Sequence, residues 1–232
     1  MPGREDPIRT GKIYHIFNRA IDDKKIFADK NDCEHFINLI KYYRSIKARV
    51  SYSKLDNLSS EIKNQILSKT LINRHFQVEI FTYTLMPTHF HLLLRQQKEK
   101  GIQRFIADIT NALTRRYNLK NERKGSIFQS TFKSVSIKSE EQFIHVSRYI
   151  HLNPYSSGLV KNLQELMNYP WTSYKEYLFE APGGVCNKEL ILNHFKTKEN
   201  YQKFVEDNAD YQRNLEYVKH SEGWDANFNL KG

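Results

Sequence analysis

The stretch FTYTLMPTHFHLLL, residues 81–94, decides the fold. Its first part is rich in aromatic and β-branched residues, which favour a strand, and strand character returns at residue 89. Residues 86–88, centred on Pro87, separate the two parts and are typical of a turn. Two strands joined by so short a turn run antiparallel, so residues 76–95 predict a hairpin.

The segments around this hairpin alternate between strand and helix patterns. A hairpin inside such an order predicts an α+β fold, an antiparallel sheet flanked by helices. The predicted elements are a strand at 13–17, a helix capped by Asn31 or Asp32, the hairpin, a helix at 102–117, a strand or bent strand pair at 127–137, and a helix at 140–153 that ends at Pro154.

The length of 232 residues suits one main domain with additions. We expect a catalytic domain over residues 1–178, in which the polar stretch 45–75 is an inserted surface helix. Residues 179–232 are polar and helix-prone, and we expect them to form a carboxy-terminal extension.

The chain is basic, with a formal net charge of +10 and a pI of about 9.4. Such a balance indicates a polyanionic partner, because each neutralised phosphate releases condensed counterions. A basic surface that serves only solubility is the alternative. Nucleic acid is therefore the first partner class to consider.

Several classes of protein are excluded or disfavoured. No apolar run approaches the roughly 20 residues that cross a bilayer, and residues 1–10 lack the apolar stretch of a secretory signal. The two cysteines, Cys33 and Cys186, are far apart, which argues against a disulfide framework and a thiolate zinc site. We expect a protein of the cytoplasm or nucleoid, whose metal, if bound, uses other ligands.

His89 and His91 are two residues apart in the second strand of the hairpin. Side chains alternate along a strand, so both imidazoles project from one face while Phe90 points into the core. Neutral imidazole is a common ligand for Mn²⁺, Zn²⁺ and related ions. The alternative is a pair of surface histidines without a ligand.

Tyr149 and Asn153 are four residues apart in the last predicted helix of the domain, and therefore lie on one face. A phenol with a pKa near ~10 is a poor nucleophile unless a neighbouring metal stabilises the developing charge. The histidine pair could supply that metal. Alternatively, Tyr149 is a half-buried helix tyrosine and Asn153 a cap before Pro154.

Several linked motifs resemble the single-tyrosine HUH transposases of the IS200-like superfamily. The resemblance is greatest to the REP-associated tyrosine transposases, which act on repeated extragenic palindromes, and it extends from about Tyr14 to Leu178. The motifs that carry it are YHIFNRA (14–20), FTYTLMPTHFHLLL (81–94), LTRRYNLKNERKGSIFQSTFKS (113–134), RYIHLNPYSSGLV (148–160) and YPWTSY (169–174).

The resemblance implies a role for each matching residue. It implies that His89, His91 and Asn153 bind a divalent metal, Mg²⁺ or Mn²⁺, and that Tyr149 is the nucleophile. It also implies an HUH endonuclease fold, with a ferredoxin- or RRM-like antiparallel palm. The chain departs from the family pattern at Thr88, where asparagine is more usual, and in the insert and the tail.

The implied activity is cleavage and transfer of single-stranded DNA at hairpins or palindromes, through a 5′-phosphotyrosine intermediate. The resemblance leaves open whether the chain forms a homodimer. Basic residues near the motifs are candidate phosphate contacts. They are Arg19, Arg115, Arg116, Lys133 and Arg148.

Three other functions are compatible with parts of the pattern. A catalytically silent protein of the same fold would bind hairpin DNA without cutting it. The presence of His89, His91, Tyr149 and Asn153 in this sequence argues against that function. A nuclease in which activated water attacks would form no covalent adduct. An RNA-binding protein of similar topology would carry the aromatic pattern GFGFVxF, which this sequence lacks.

Overall fold

The fold is that of a computed structural model, which describes residues 7–129, 131–179 and 183–221, with side chains up to residue 217. The strands are β1 (Ile13–Arg19), β2 (Val78–Met86), β3 (His89–Gln96) and β4 (Lys133–Ser136). The helices are α1 (Lys30–Tyr43), α2 (Ser60–Thr70), α3 (Gly101–Lys120), α4 (Glu140–Ser156), α5 (Leu163–Asn168), α6 (Tyr174–Leu178), α7 (Glu189–Leu192), α8 (Lys198–Glu206) and α9 (Ala209–Ser221).

The four strands form one sheet in the order β2-β3-β1-β4, and every neighbouring pair is antiparallel. The predicted hairpin is present as β2 and β3. In the central pair, Phe17 of β1 lies opposite His91 of β3. The α+β fold with an antiparallel sheet and flanking helices is therefore confirmed.

Each face of the sheet has its own core. On one face, residues such as Ile16, Phe90 and Leu92 pack against α1 and α3. On the other face, Phe81 and Leu93 pack against α4 and the helices that follow it. Because His91 alternates with Phe90 and Leu92, it belongs to the α4 face.

The predicted cap of α1 is wrong by two residues or more. The cap is Asp29, whose carboxylate accepts a hydrogen bond from the Asp32 backbone N–H at 2.9 Å. Asp32 instead lies in the first turn, where its carboxylate pairs with Lys120 of α3 at 2.8 Å. The sequence contains three possible capping residues within four positions, and Lys120 of α3 pairs with both Asp29 and Asp32.

The predicted strand at 127–137 is mostly absent, since only Lys133–Ser136 forms a ladder with β1. Phe128 makes an isolated bridge to Ala20, and Lys133 pairs with Phe17. Between these two pairs the chain advances five positions from Phe128 to Lys133, but only three positions from Phe17 to Ala20 on β1. Two extra residues before β4 therefore interrupt the ladder. Such an interruption depends on the pairing register, which the local pattern does not reveal.

The predicted end of α4 at Asn153 is also wrong, because the helix continues to Ser156 with Pro154 inside it. Proline has no N–H, so Pro154 cannot donate to the carbonyl of Ile150, four residues earlier. The hydroxyl of Thr84 in β2 donates to that carbonyl instead, at 2.8 Å. The bond satisfies the buried carbonyl and attaches α4 to the sheet one residue after Tyr149.

The insert and the extension both pack onto the domain. Residues 45–75 contain α2, as expected, together with short 3-10 turns at Tyr52–Asn57 and Asn73–His75. In the extension, Tyr201 and Val205 of α8 are buried in the same core as α4. None of the described helices is both long and apolar enough to cross a membrane. The rest of the tail, residues 222–232, lies outside the described residues.

The outer edge of β2 is covered by the chain that follows α4. The backbone N–H of Leu85 donates to Trp171 at 2.8 Å, and that of Ser173 donates to Tyr83 at 2.9 Å. Farther along the strand, the N–H of Asn187 donates to Ile80 at 2.8 Å. The YPWTSY motif and the first part of the extension therefore act as an edge cover.

Candidate active site

His89 and His91 project from the α4 face of β3, as predicted from their alternation. Their ring centroids are 5.1 Å apart. His91 is almost fully buried, and His89 is partly exposed at the end of the strand. The sheet therefore presents two imidazoles side by side, one at the rim of the site and one inside it.

Both imidazoles are held through the same ring nitrogen. Nδ1 of His89 is 2.9 Å from Oγ1 of Thr88, and Nδ1 of His91 is 2.9 Å from Nε2 of His15. A histidine that binds a metal usually has its second nitrogen fixed in this way. The contacts leave Nε2 of both residues available for a shared ligand.

His15 is a site residue that sequence reasoning missed. It lies on β1, on the same face as Phe17, and its ring stacks on His91 with centroids 5.1 Å apart. The signal was present, since a polar residue two positions before Phe17 in a predicted strand must share a face with it. The pairing of β1 with β3, however, cannot be read from either segment alone.

The three histidines are neutral at neutral pH. Burial, followed by the charge of Arg19, lowers the pKa of His89 to about 4. Burial lowers the pKa of His15 to about 3, and burial with His15 as the next cause holds that of His91 well below its usual value. Neutral imidazole is the form that binds metal ions, so no proton need be displaced first.

Tyr149 of α4 lies directly over this group. Its ring centroid is 5.9 Å from that of His15 and 6.1 Å from that of His91. The side chain is half-buried, and burial, followed by the charge of Glu216, raises the pKa of its phenol far above the usual value. The hydrogen bond with Asn153 acts in the opposite direction. The phenol is therefore protonated at neutral pH, and a nucleophilic role needs an electropositive neighbour.

Asn153 lies one turn after Tyr149, and its Nδ2 donates to the Tyr149 carbonyl at 2.8 Å. This bond turns the amide so that Oδ1 is its available acceptor. The described residues contain no group of three His, Cys, Asp or Glu side chains that could hold a metal. Two imidazoles and one amide oxygen nevertheless form a reasonable donor set for Mn²⁺ or Mg²⁺, so the residues present fit a divalent cation.

The five predicted phosphate contacts are distributed over both faces of the sheet. Arg19 lies opposite His89, and Lys133 lies opposite Phe17, so both are at the histidine face. Arg115 and Arg116 belong to α3 on the other face, where Arg116 pairs with Asp32 at 3.5 Å.

The fifth of these residues, Arg148, is engaged with the extension. Its guanidinium lies 4.4 Å from the centroid of the Phe204 ring. Of the five, the structure therefore brings only Arg19 and Lys133 to the histidines.

His151 is close to Tyr149 in sequence but faces away from it. Its Nε2 is 2.8 Å from the Ser173 hydroxyl, and its Nδ1 is 2.8 Å from the Tyr201 hydroxyl. The ring is completely buried. His151 is therefore a structural residue that connects α4 to the extension.

A family model described as "Transposase IS200 like" matches residues 34–153, which include both histidines, the tyrosine and the asparagine of the site. The chain belongs to the IS200-like transposase family. DNA processing is accordingly its class of activity, and the resemblance seen in the motifs is confirmed at the level of the family. No curated protein matches the chain.

Two solved structures resemble this IS200-like transposase. A REP-associated tyrosine transposase bound to a REP hairpin has 15% sequence identity and a TM-score of 0.53, and the match covers 81% of this chain and 94% of that one. At this identity the match establishes the fold. A protein from Deinococcus radiodurans R1 that is assigned as a transposase has 15% identity and a TM-score of 0.34, with coverage of 65% and 95%.

Proposed function

We propose that the protein cleaves and rejoins single-stranded DNA, with Tyr149 as the nucleophile and a divalent cation bound by His89, His91 and Asn153. One observation carries the proposal: a phenol lies about 6 Å, ring to ring, from a histidine whose Nε2 is available for a metal. The Thr84 hydroxyl bonds α4 to β2, where Thr84 lies directly opposite His91, so the relative position of the two groups is fixed.

In the proposed reaction, Oη of Tyr149 attacks a backbone phosphorus atom in line with the 3′-oxygen. The bond from phosphorus to that oxygen breaks, which leaves a 5′-phosphotyrosine and a 3′-OH. The phenol loses its proton, and the departing 3′-oxygen gains one. A second 3′-OH can reverse the step without ATP, because the phosphotyrosine link retains the energy of the phosphodiester.

His89, His91 and Asn153 would hold the cation, which when bound neutralises phosphate charge and stabilises the departing oxygen. The chain itself supplies position and protonation state. Thr88 and His15 orient the two imidazoles, and burial keeps them neutral. Mn²⁺ is chemically the better match for two imidazole ligands, whereas Mg²⁺ would bind because it is the more abundant ion.

We propose hairpin or palindromic DNA, in the cytoplasm at the nucleoid, as the substrate. The net charge of +10 supports a polyanionic partner. The structurally similar REP-associated transposase is bound to a REP hairpin, which supports the same class of DNA here. The exposed end of the site, where His89 and Arg19 lie, can admit a strand that leaves a hairpin.

The decisive experiment is the capture of a covalent protein–DNA adduct. Wild-type protein, Mn²⁺ and a hairpin with single-stranded flanks should give a denaturation-resistant species joined to the 5′ side of the cut. Tyr149→Phe should give none while still binding the DNA, because only one hydroxyl is removed. The loss of one half-buried hydroxyl costs about 1 kcal/mol of stability, so unfolding would not explain the result.

Tyr155→Phe is the matched control, since Tyr155 lies on the same helix and its hydroxyl bonds to Asp210 at 2.6 Å. This variant should form the adduct as wild type does, and mass spectrometry should assign the link to Tyr149. An adduct on Tyr155 would refute the assignment. Cleavage by Tyr149→Phe at the wild-type rate would favour activated water, and DNA binding without any cleavage would favour a silent binding protein.

Substrate form gives a second prediction. A strand must bend into the site to reach Tyr149, so single-stranded or hairpin DNA should bind and be cut better than blunt duplex of the same sequence. Fluorescence anisotropy and gel assays with the two forms measure this preference. Equal binding and cutting of both forms would contradict it.

A further inference from the structure

Phe17 lies on β1, on the same face of the sheet as α4, which packs mainly over β2 and β3. On β3 its partner is His91, and on the edge strand β4 its partner is Lys133. Residues directly opposite each other in an antiparallel sheet project from the same face, with Cβ atoms about 5 Å apart. Phe17 therefore stands between a candidate metal ligand and an exposed lysine.

The surroundings of Phe17 are unusual for a phenylalanine. Within the described residues it belongs to neither core, and its ring contacts are with His15 and His91, at centroid distances of 5.1 and 5.6 Å. The side chain is only partly buried. The ring therefore packs against two histidines of the candidate site and keeps part of its surface open to a ligand.

Two cationic residues are neighbours of Phe17 on this face of the sheet. Lys133 is exposed, and the side chain of Arg19, two residues along the same face of β1, is 41% exposed. Arg19 pairs with Asp23 at 3.4 Å. An aromatic face between two cations matches the chemistry of single-stranded nucleic acid, whose bases stack while its phosphates pair with lysine and arginine.

We propose that Phe17 is a stacking subsite for one unpaired nucleobase of the DNA strand, next to the phosphate that Tyr149 attacks. Lys133 and Arg19 bind the phosphates on either side of that nucleotide. The subsite rests on the proposed function, and it adds a way of holding the strand that is independent of the metal. Stacking uses the face of a base and not its hydrogen-bonding edge, so this subsite accepts any of the four bases.

Binding in EDTA tests the subsite apart from metal and cleavage. The probe is a fluorescent DNA hairpin with an unpaired oligothymidylate tail, measured by anisotropy. Phe17→Leu, which keeps an apolar side chain but loses the π face, should weaken binding about 5- to 150-fold, the range expected for one stacked base. Phe17→Trp should bind as wild type does.

The matched control is Phe179→Leu, since Phe179 is 48% exposed and follows α6 beside β2, at the opposite side of the sheet from β4. This variant should not change the affinity. The salt dependence separates stacking from charge: Phe17→Leu should keep the wild-type slope of log K against log salt, whereas Lys133→Gln should reduce it by about 0.7.

Photocrosslinking locates the base directly. With 5-iododeoxyuridine in the tail, irradiation should attach the DNA to the peptide that contains Phe17. Equal affinities of wild type and Phe17→Leu, or a crosslink confined to another peptide, would refute the subsite while a Tyr149 adduct leaves the proposed function intact. Loss of Mn²⁺ affinity in Phe17→Leu with unchanged DNA affinity would make Phe17 a support for His91 and would also refute it. Absence of both DNA binding and adduct in wild type would refute both proposals.

Discussion

At the scale of single residues, the site depends on which nitrogen of each histidine is occupied. His15 of β1 contacts Nδ1 of His91 through its own Nε2, and this contact leaves Nε2 of His91 as the nitrogen available for a ligand. Thr88 does the same for His89 through a side chain one residue away. The two candidate ligands are thus oriented by different neighbours, one from a distant strand and one from the adjacent turn.

Substitution of these residues should separate ligands from the residue that orients them. His89→Ala and His91→Ala should abolish Mn²⁺ binding in calorimetry, because each removes a donor atom. His15→Leu should raise the Kd about 10- to 100-fold, as expected when the partner of a ligand is lost. All three variants should keep the fold by circular dichroism.

The control is His35→Ala, since His35 packs against Tyr52 with centroids 5.6 Å apart and lies on the other face of the sheet. It should bind Mn²⁺ as wild type does. Unchanged Mn²⁺ affinity in both His89→Ala and His91→Ala would show that the metal site is elsewhere.

The sequence was sufficient to predict some of these residues but not others. Strand alternation predicts a shared face for His89 and His91, and helix periodicity does the same for Tyr149 and Asn153. Both are local rules. His15 contacts His91, and Glu216 lies near Tyr149, although each pair is separated by more than 60 residues of chain. No local periodicity specifies such contacts between distant segments.

At the scale of elements, α4 is held to the sheet at the point where its own hydrogen bonding fails. Pro154 removes the donor for the Ile150 carbonyl, and Thr84 replaces it from β2. Thr84 is buried, and its hydroxyl is also 2.8 Å from that of Thr172 in the YPWTSY motif. The Thr84 hydroxyl therefore connects residues of three separate motifs next to Tyr149.

A double-mutant cycle tests this connection. Thr84→Val should lower the free energy of unfolding by about 1–3 kcal/mol, because the buried Ile150 carbonyl loses its partner. In a Pro154→Ala background the restored N–H can donate to that carbonyl, so the same substitution should cost less. Chemical denaturation of the four proteins gives the coupling energy, which we expect to be about 1 kcal/mol.

Thr82→Val is the matched control, since Thr82 is on the same strand and its buried hydroxyl has no hydrogen-bond partner within the described residues. It should be neutral or stabilising. Equal costs of Thr84→Val in both backgrounds would show that Thr84 does not stand in for the missing helix donor.

The elements themselves were largely predictable, and their ends were not. Proline before the end of a helical pattern is normally read as a stop, so α4 was expected to end before Pro154. Only the position of Thr84 reveals why the helix can continue. The short length of β4 has a similar origin. The segment between Phe128 and Lys133 is two residues too long only when it is paired with β1, and the local sequence does not show that pairing.

At the scale of the whole molecule, buried polar groups join α4 to the extension. His151 of α4 bonds to Ser173 and Tyr201, and the hydroxyl of Tyr201 is also 3.3 Å from that of Ser147. Gln212 of α9 donates to the Tyr149 carbonyl at 3.1 Å. The predicted division at residue 178 therefore separates sequence segments that share hydrogen bonds and a core.

The buried His151 predicts sensitivity to acid. Burial lowers its pKa from 6.5 to about 3, so below pH 6.5 the unfolded chain takes up a proton that the native protein does not. The stability that depends on neutral His151 is complete above pH 6.5 and is lost as the pH falls towards 3, by about 1.4 kcal/mol per pH unit.

His151→Gln removes this titration, although it also weakens the hydrogen-bond network. Its free energy of unfolding should be lower than that of wild type at pH 8 and should fall less steeply between pH 6 and pH 4. Urea denaturation across this range measures both slopes. Parallel pH profiles would show that His151 is not the group responsible.

The covered edge of β2 limits how copies of this protein can join. A sheet with two free edges can add strands without end, as in a fibril, whereas a sheet with one free edge can only pair with a second copy and stop. Here Trp171, Ser173 and Asn187 occupy the hydrogen bonds of β2, and among the described residues the uncovered edge is the four-residue β4. Association through the sheet would therefore end at two chains. Sedimentation should find monomers or dimers from this route, and never a polymer.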